Sequence, residues 1–414
     1  MDVPCRSRAP RGEARILDGA AAGALAGLPA GLAAAAYNAR QMQHGHETFD
    51  ILVRGDGCVG RSLALALGAQ GLRVALLGAV EASAPREDLR TYALNAAAVR
   101  LLRQLRVWEA LPADAKTPVY EMRVQGDEAA GLIEFSAWQQ GVAELAHIVD
   151  AGALENELGN ALRFAPHVRR VSTPVAAALT AYCEGRDSAG REALGVRFER
   201  HDSGQTAIAA RLVAERPHQG AAQQWFRSPD VLALLPFDRP QPGCSYGLVW
   251  SLPRERAPEL LAASDAEFEQ ALMDATGGAA GQLRLSGGRA AWPLALARAS
   301  AVSGSGWVLL GDAAHLVHPL AGQGLNLGLA DVACLAEVLA QRETWRPLGD
   351  EKLLRRYARA RLAPTVAMGE LTDGLLRLFA SDAPALRSLR NQGMSLVNRL
   401  SPVKRWLTGQ ALGV

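Results

Sequence analysis

Residues 311–326 of this 414-residue chain read GDAAHLVHPLAGQGLN. The apolar run at 307–310 predicts a buried strand before this segment, and the stretch at about 325–339 predicts a helix after it. Gly322 and Gly324 would let the backbone approach a flat ring closely. The free N–H groups at the start of the helix would face any negative charge that develops on that ring. The segment therefore predicts a strand-to-helix turn that suits a cofactor.

A second glycine-rich turn lies far upstream, at residues 55–60, and reads GDGCVG. It follows a short apolar run at 49–53, and it precedes an apolar helical stretch at 62–69 and a second predicted strand at 74–77. This order of strand, G-x-G-x-x-G, helix and strand provides a tight turn, close backbone approach to a pyrophosphate, and a helix N-terminus to hold it. The turn therefore predicts dinucleotide binding. Its candidate binding residues are Gly55, Gly57 and Gly60.

A third segment, residues 183–188, reads CEGRDS and is followed by Arg191. Together the three segments closely resemble, in their order along the chain, the FAD-dependent aromatic-ring hydroxylases that are similar to para-hydroxybenzoate hydroxylase. Those enzymes place an Asp-Gly motif with a downstream Ser and Arg near the cofactor, whereas this chain has Glu184 before Gly185. A polar surface turn is the alternative interpretation of this third segment.

Further segments resemble one subgroup, the ubiquinone-biosynthesis hydroxylases. They read RTYAL at 90–94, TPV at 117–119, AWPL at 291–294 and LRN at 389–391. The resemblance implies an FAD-dependent monooxygenase that hydroxylates the aromatic ring of a polyprenylated phenol. It also implies that NAD(P)H reduces the FAD and that O₂ then forms a flavin C4a-hydroperoxide, whose distal oxygen is transferred to the ring.

The same resemblance implies which residues serve the cofactor. Asp312 would bind the ribityl or ribose hydroxyls, Pro319 would pack near the reactive edge of the ring, and the backbone at 322–325 would face its pyrimidine end. The resemblance assigns no catalytic side chain, because the flavin carries the chemistry; His318 and Pro319 are the candidates beside it. Arg90 and Arg191 either serve the cofactor or the reductant, or form surface salt bridges. The cofactor-binding residues implied in these segments are Arg90, Gly185, Gly311, Asp312, Pro319, Gly322, Gln323, Gly324, Leu325 and Asn326.

Composition excludes several other classes of protein. The net charge of +2 argues against a nucleic-acid partner, which normally requires a concentrated positive field. The five cysteines form no C-x-x-C pair, which favours reduced thiols and a cytoplasmic location. His315 and His318 are three residues apart but have no third ligand near them in the sequence, so we predict no metal site. No apolar run has the quality of a transmembrane segment.

The chain also departs from the dinucleotide-binding pattern at two positions. The second strand usually ends in an acid that binds the ribose hydroxyls, but here Gly78 follows it and the first acid is Glu81. Asp56 places a carboxylate inside the phosphate turn, where it opposes a pyrophosphate. Arg54 and Arg61 either offset that charge or are ordinary surface charges.

These features predict an α/β fold with a Rossmann-like FAD lobe, a strand-rich substrate domain and a helical C-terminal region. The strand-like runs at 179–182, 207–213, 231–235 and 247–252 are assigned to the substrate side, and a helix is predicted at about 93–105. We predict a disordered or non-native extension at 1–48 and the first part of the FAD lobe at 49–125. Residues 126–295 are assigned mostly to the substrate domain, except that Glu184–Gly185 returns to the FAD lobe. The second part of the FAD lobe is predicted at 296–380, and a C-terminal helical tail at 381–414.

The basic, amphipathic tail leaves two alternatives open: packing against the body, or contact with a membrane surface or a biosynthetic complex. The resemblance adds a peripheral position at the inner membrane to the expected cytoplasmic location. Two other functions remain: a non-hydroxylating flavin oxidoreductase of the same fold, and an FAD-deficient scaffold in a ubiquinone-biosynthesis complex. Trp250 and Trp292 are either core residues or pocket-lining residues.

Overall fold

The computed structural model describes residues 48–78, 88–126, 131–317 and 323–380. The strands are β1 (Phe49–Arg54), β2 (Val74–Leu77), β3 (Thr91–Leu94), β4 (Lys116–Val119), β5 (Glu121–Gln125), β6 (Leu132–Ser136), β7 (Ala146–Asp150), β8 (Val168–Val171), β9 (Ala177–Tyr182), β10 (Phe198–Ala214), β11 (Ala221–Arg227), β12 (Asp230–Phe237), β13 (Ser245–Pro253), β14 (Leu283–Ala299), β15 (Ser303–Gly304), β16 (Trp307–Leu309) and β17 (His315–Leu316). The helices are α1 (Cys58–Ala69), α2 (Ala96–Gln104), α3 (Ala137–Gln140), α4 (Ala151–Arg163), α5 (Ala189–Ala193), α6 (Ala257–Ala262), α7 (Asp265–Thr276), α8 (Gln323–Ala340) and α9 (Glu351–Ala380).

The predicted extension at 1–48, apart from Thr48, and the predicted tail at 381–414 lie outside the described residues. Contacts divide the chain into Met1–Thr48 and Phe49–Val414, and every strand and helix named above belongs to the second unit.

The first sheet is mostly parallel and contains both predicted cofactor strands. Within the described residues its order is β15-β16-β9-β1-β2-β8, and only the β15–β16 pair is antiparallel. Ile51 and Val53 of β1 are fully buried and Leu52 nearly so, because helices cover both faces of such a sheet. The carboxyl ends of β1, β9 and β16 therefore meet at one edge, which is where ligands bind in sheets of this kind.

Helix α8 is the core helix of this lobe. It is long and apolar enough to cross a membrane by length and composition, which the sequence interpretation did not anticipate. Val332, Leu335 and Leu339 are nevertheless fully buried in the same apolar cluster as β1 and α1. The apolar character of α8 is thus explained by packing inside the protein.

A second, mostly antiparallel sheet has the order β17-β14-β10-β13-β12-β11-β5-β6 within the described residues. One face of this sheet packs on α7, and Trp250, Phe268 and Leu272 are buried between the sheet and the helix. A small antiparallel sheet, β3-β7-β4, is the third among the described residues. The predicted α/β class, with an FAD-type lobe and a strand-rich partner sheet, is confirmed.

One local prediction is partly correct and another is wrong. The helix predicted at 93–105 is present as α2, but it begins only at Ala96, because Thr91–Leu94 pairs with β7 and the Asn95 side chain caps α2 by accepting from the Ala98 N–H at 2.9 Å. The run at 179–182 does not belong to the substrate-side sheet: it forms the end of β9, between β1 and β16 in the first sheet. Periodicity identified the strand, but only parallel pairing with β1 reveals its sheet.

Candidate active site

The first glycine turn joins β1 to α1, and its three glycines differ in what surrounds them. Gly55 has φ +112°, and a Cβ there would lie 2.2 Å from the Cys183 carbonyl oxygen. A Cβ on Gly60 would lie 1.9 Å from the Gly55 carbonyl oxygen. A Cβ on Gly57, by contrast, would have no atom within 4 Å, and Gly57 lines a large cavity. The absence of side chains at Gly55 and Gly60 allows close contacts between backbone segments, whereas Gly57 leaves room for a ligand at the N-terminus of α1.

The second turn runs from β16 into a 3-10 turn at Gly311–Ala313 and places Asp312 in the same cavity. Gly311 has φ +59°, which turns the chain sharply after Leu310. The Asp312 side chain is solvent-accessible, but the space it reaches is the cavity itself. Desolvation by the surrounding protein therefore raises the pKa of Asp312, and His315 opposes this effect only partly.

A buried ionic cluster that the sequence interpretation missed supports this turn. Asp331, fully buried on α8, accepts a hydrogen bond from the Gly311 N–H at 2.9 Å through Oδ2, and the same oxygen lies 2.7 Å from Nε2 of His315. Its Oδ1 accepts from Nε of Arg361 on α9 at 2.5 Å. The signal for Asp331 was an acid at helical spacing among apolar residues, with Leu327 and Leu335 four residues away on either side.

Charges within this cluster stabilise each other. Burial alone would raise the pKa of Asp331, but His315 and Arg361 outweigh it and hold that pKa below its usual value. Burial alone would lower the pKa of His315, but Asp331 outweighs it and raises that pKa above its usual value. His315 is therefore a partner of Asp331, and no group of three or more potential metal ligands occurs among the described residues.

We expect His315→Gln to destabilise the protein most at acidic pH. The folded pKa of His315 is raised above its ordinary value of 6.5, so its stabilising contribution is complete below that pH and is lost as the pH rises through the folded pKa. The cost should be about 2 kcal/mol at about pH 5.5 and smaller at about pH 8.5. Denaturant unfolding of both proteins across this range measures the difference. His167→Gln, at an exposed position, is the control, and a difference that grows with pH would contradict the prediction.

Asn326 fastens the start of α8 to the neighbouring β3–α2 turn. Its Oδ1 accepts from the Asn95 N–H at 3.0 Å, and its Nδ2 donates to the Ala93 carbonyl at 2.8 Å. The side chain is 4% exposed. The start of α8 is thus tied to the segment that carries Arg90 and Tyr92, two residues that line the cavity.

The third motif lies behind the second turn. Gly185 has φ +76° and lines the cavity, whereas the Glu184 carboxylate lies 2.8 Å from Nε of Arg54 and accepts from Ser188 Oγ at 2.7 Å. Arg191 is buried, donates to the Ala313 carbonyl at 3.2 Å and stacks 3.7 Å over the Phe198 ring. The alternative of a surface salt bridge is therefore wrong for Arg191. Its hydrogen bond to the Ala313 carbonyl instead stabilises the Asp312 turn.

Arg90 lies at the rim of the cavity on the segment before β3. Its Nη2 is 2.6 Å from Asp88 Oδ2 and 3.7 Å from Glu155 Oε1. The side chain is 45% exposed, so the predicted surface salt bridge is present; Arg90 also lines the cavity, and its role toward the cofactor stays a prediction. Cys58 also lines the cavity, and burial raises the pKa of its thiol to about 12, which keeps it protonated and unreactive at neutral pH.

The cavity itself has a volume of about 710 Å³ and lies between the two turns and the second sheet. The part of its lining that comes from the second and third sheets is largely apolar. Its large apolar members include Val119, Met122, Ile148, Leu235, Val249 and Trp292. Trp250 does not line it, since its indole N–H donates to Asp230 at 3.2 Å on the other face of the sheet.

The structure brings six predicted cofactor residues into one cavity. They are Gly57, Arg90, Gly185, Asp312, Gly324 and Leu325. Five others shape the adjoining turns without lining the cavity. These are Gly55, Gly60, Gly311, Gln323 and Asn326. His318, Pro319 and Gly322, like Glu81, lie outside the described residues.

The described residues fit an FAD. Two glycine positions without a nearby atom, Gly57 and Gly324, lie on one cavity, at or beside the starts of α1 and α8. Helix N-termini bind phosphates and developing negative charge, and Asp312 supplies an acceptor for hydroxyl groups in the same space.

Comparison with known proteins agrees with this geometry. A family model described as FAD binding domain matches residues 152–369. The chain is 31% identical over 390 residues to ubiquinone hydroxylase UbiL of Rhodospirillum rubrum, covering 88% of this chain and 89% of that one. It is 28% identical to 3-demethoxyubiquinol 3-hydroxylase of Escherichia coli, covering 88% and 98%.

Among solved structures, PqsL, a probable FAD-dependent monooxygenase from Pseudomonas aeruginosa, has the same fold. Its TM-score is 0.68 at 19% identity, over 84% of this chain and 99% of that chain. The family resemblance inferred from the three motifs is confirmed. The chain belongs to the FAD binding domain family and is a flavin-dependent aromatic monooxygenase of the group that contains the ubiquinone-biosynthesis hydroxylases.

Proposed function

We propose that this protein hydroxylates the aromatic ring of a polyprenylated phenol in ubiquinone biosynthesis, using FAD, NAD(P)H and O₂. The observation that carries the proposal is the composition of the cavity, which combines the Asp312 and Gly324 turns with an apolar wall from the second and third sheets. An apolar ring with an apolar tail suits that wall. The names of the UbiL and Escherichia coli relatives, which both specify ubiquinone-pathway hydroxylation, support this substrate class.

When bound, FAD supplies the electron transfer and the oxygen activation. The chain's own residues have three tasks: to bind, to orient and to exclude water. The Gly57 turn would hold the pyrophosphate, Asp312 would accept hydrogen bonds from sugar hydroxyls, and the α8 N-terminus at Gly324 would face the ring. Trp292 and Val249 would keep water away from the site where oxygen is transferred.

The proposal extends to location and partners. We propose a cytoplasmic protein that contacts the inner membrane peripherally, because a polyprenyl tail partitions into the bilayer. A ubiquinone-biosynthesis complex is the second proposed partner, in line with the names of the relatives. Pro319 and His318 remain proposed neighbours of the flavin ring.

Two measurements test the function. The wild-type protein, reconstituted with FAD and given NAD(P)H, O₂ and a prenylated phenol, should form a ring-hydroxylated product. A bacterial strain that lacks its own ubiquinone hydroxylase should regain ubiquinone when it expresses this chain. Bound FAD together with release of hydrogen peroxide only, and no ubiquinone in the strain, would overturn the proposal in favour of a non-hydroxylating flavoprotein.

A matched pair of variants probes the apolar wall. We expect Trp292→Ala to bind FAD normally but to form less product per NAD(P)H consumed, because water entering the cavity diverts the oxygen to hydrogen peroxide. Trp345→Ala, at a position that is 73% exposed, should keep the wild-type ratio. An unchanged ratio in Trp292→Ala would place the substrate elsewhere.

A further inference from the structure

The missing acid after β2 is linked to an extra acid in the glycine turn. Gly78 occupies the position where dinucleotide folds usually carry the ribose-binding acid. A Cβ on residue 78 would lie 2.6 Å from the Cβ and 2.9 Å from Oδ2 of Asp56. The Asp56 side chain therefore fills the space into which a side chain at 78 would project. An acid at 78 and an aspartate at 56 exclude each other.

Strand register explains how Asp56 reaches this place. Arg54 pairs with Leu77, and the Gly55 N–H donates to the Leu77 carbonyl at 2.9 Å, so the turn after β1 lies beside the end of β2. Arg170, on the far side of β2, lies 3.2 Å from Oδ2 of Asp56. The Asp56 carboxylate thus stands over the carboxyl end of β2, as an acid at residue 78 would.

The surrounding charges make a carboxylate tolerable next to phosphates. Arg61 on α1 donates from Nε to Asp56 Oδ1 at 2.9 Å, and Arg170 contacts both carboxylate oxygens. Two guanidinium groups against one carboxylate leave a local positive charge. A carboxylate also has about four acceptor positions, so hydroxyl groups can bind while both arginines remain in place.

We infer that Asp56 binds the adenosine ribose hydroxyls of FAD, so that the ribose-binding acid has moved from the end of β2 into the glycine turn. The inference rests on the FAD-binding part of the proposed function and not on hydroxylation. It also explains why the turn tolerates Asp56, since Arg61 and Arg170 cancel the repulsion that the carboxylate would exert on the pyrophosphate.

A residue swap tests the inference directly. We expect Asp56→Gly and Gly78→Glu each to weaken FAD binding about tenfold or more, the first by removing the acid and the second by collision with Asp56. The double variant, which restores the usual arrangement, should recover affinity to within about threefold of the wild type. Flavin titration followed by fluorescence gives the dissociation constants, and circular dichroism checks folding. Glu259→Ala, at an exposed acid on α6, is the control.

A ligand comparison separates binding from a structural role and does not depend on the folding of Gly78→Glu. Asp56→Ala should bind ADP about tenfold more weakly than the wild type but 2′,3′-dideoxy-ADP equally well, since the second ligand lacks the ribose hydroxyls. Equal losses for both ligands, or no loss of FAD affinity in Asp56→Ala, would overturn the inference. Failure of the proposed hydroxylation would give a different result: the wild-type protein would bind FAD but form no hydroxylated product.

Discussion

Asp331→Ala is expected to lower the free energy of unfolding by about 3–5 kcal/mol, because it removes the carboxylate that pairs with the buried His315 and the largely buried Arg361. The Asp331 carboxylate holds His315 and Arg361 together, and its own side chain is 1% exposed. Part of the loss should be relieved at alkaline pH, where His315 becomes neutral. Denaturant unfolding of the wild type and the variant measures it.

The same substitution should weaken FAD binding, because Asp331 also accepts the Gly311 N–H that orients the Asp312 turn. Glu337→Ala is the matched control: it removes an exposed acid from the same helix and should change the stability by about 0.5 kcal/mol or less. A variant of Asp331 as stable as the control would show that His315 and Arg361 find other partners.

Gly60→Ala is expected to cost about 3 kcal/mol of stability and to abolish FAD uptake. The added Cβ would lie 1.9 Å from the Gly55 carbonyl oxygen, which is backbone, so the crossing of β1 and α1 must open before a methyl group fits. Thermal unfolding and flavin absorbance after dialysis against FAD measure the two effects.

Gly57→Ala provides the contrast within the same turn. Its added Cβ would meet no protein atom within 4 Å, and its φ of −90° is accessible to alanine, so folding should be unaffected. The methyl group would nevertheless enter the cavity and weaken FAD binding. If Gly60→Ala unfolds no more easily than Gly57→Ala, the close chain crossing does not constrain the fold.

The two cofactor turns were predictable because their chemistry is local. A strand, a glycine at a defined spacing and a helix start are neighbours along the chain, so the G-x-G-x-x-G turn at 55–60 and the Asp312 turn could be recognised from residue order. The strand at 74–77 was recognised from its short apolar run for the same reason. The comparisons with known proteins confirm the family that these local patterns indicated.

The remaining features depend on contacts between distant parts of the chain, which periodicity does not encode. Whether β9 belongs to the first or the second sheet is decided by its parallel pairing with β1. Asp331 could be recognised as buried, but its partners lie 16 and 30 residues away on other elements. Asp56 and Gly78 looked like two separate defects in the sequence, and only their proximity in space makes them one exchange.

By itself, then, the sequence determined the family, the fold class and the two turns at the cofactor cavity, because residue type and spacing act over a few residues. Only the tertiary structure decided which charges meet. Arg191 could be a surface charge in the sequence, but in the fold it is buried beneath the Asp312 turn. The physical reason is that burial and ion pairing depend on distances across the folded chain, and those distances arise only when the sheets and helices pack.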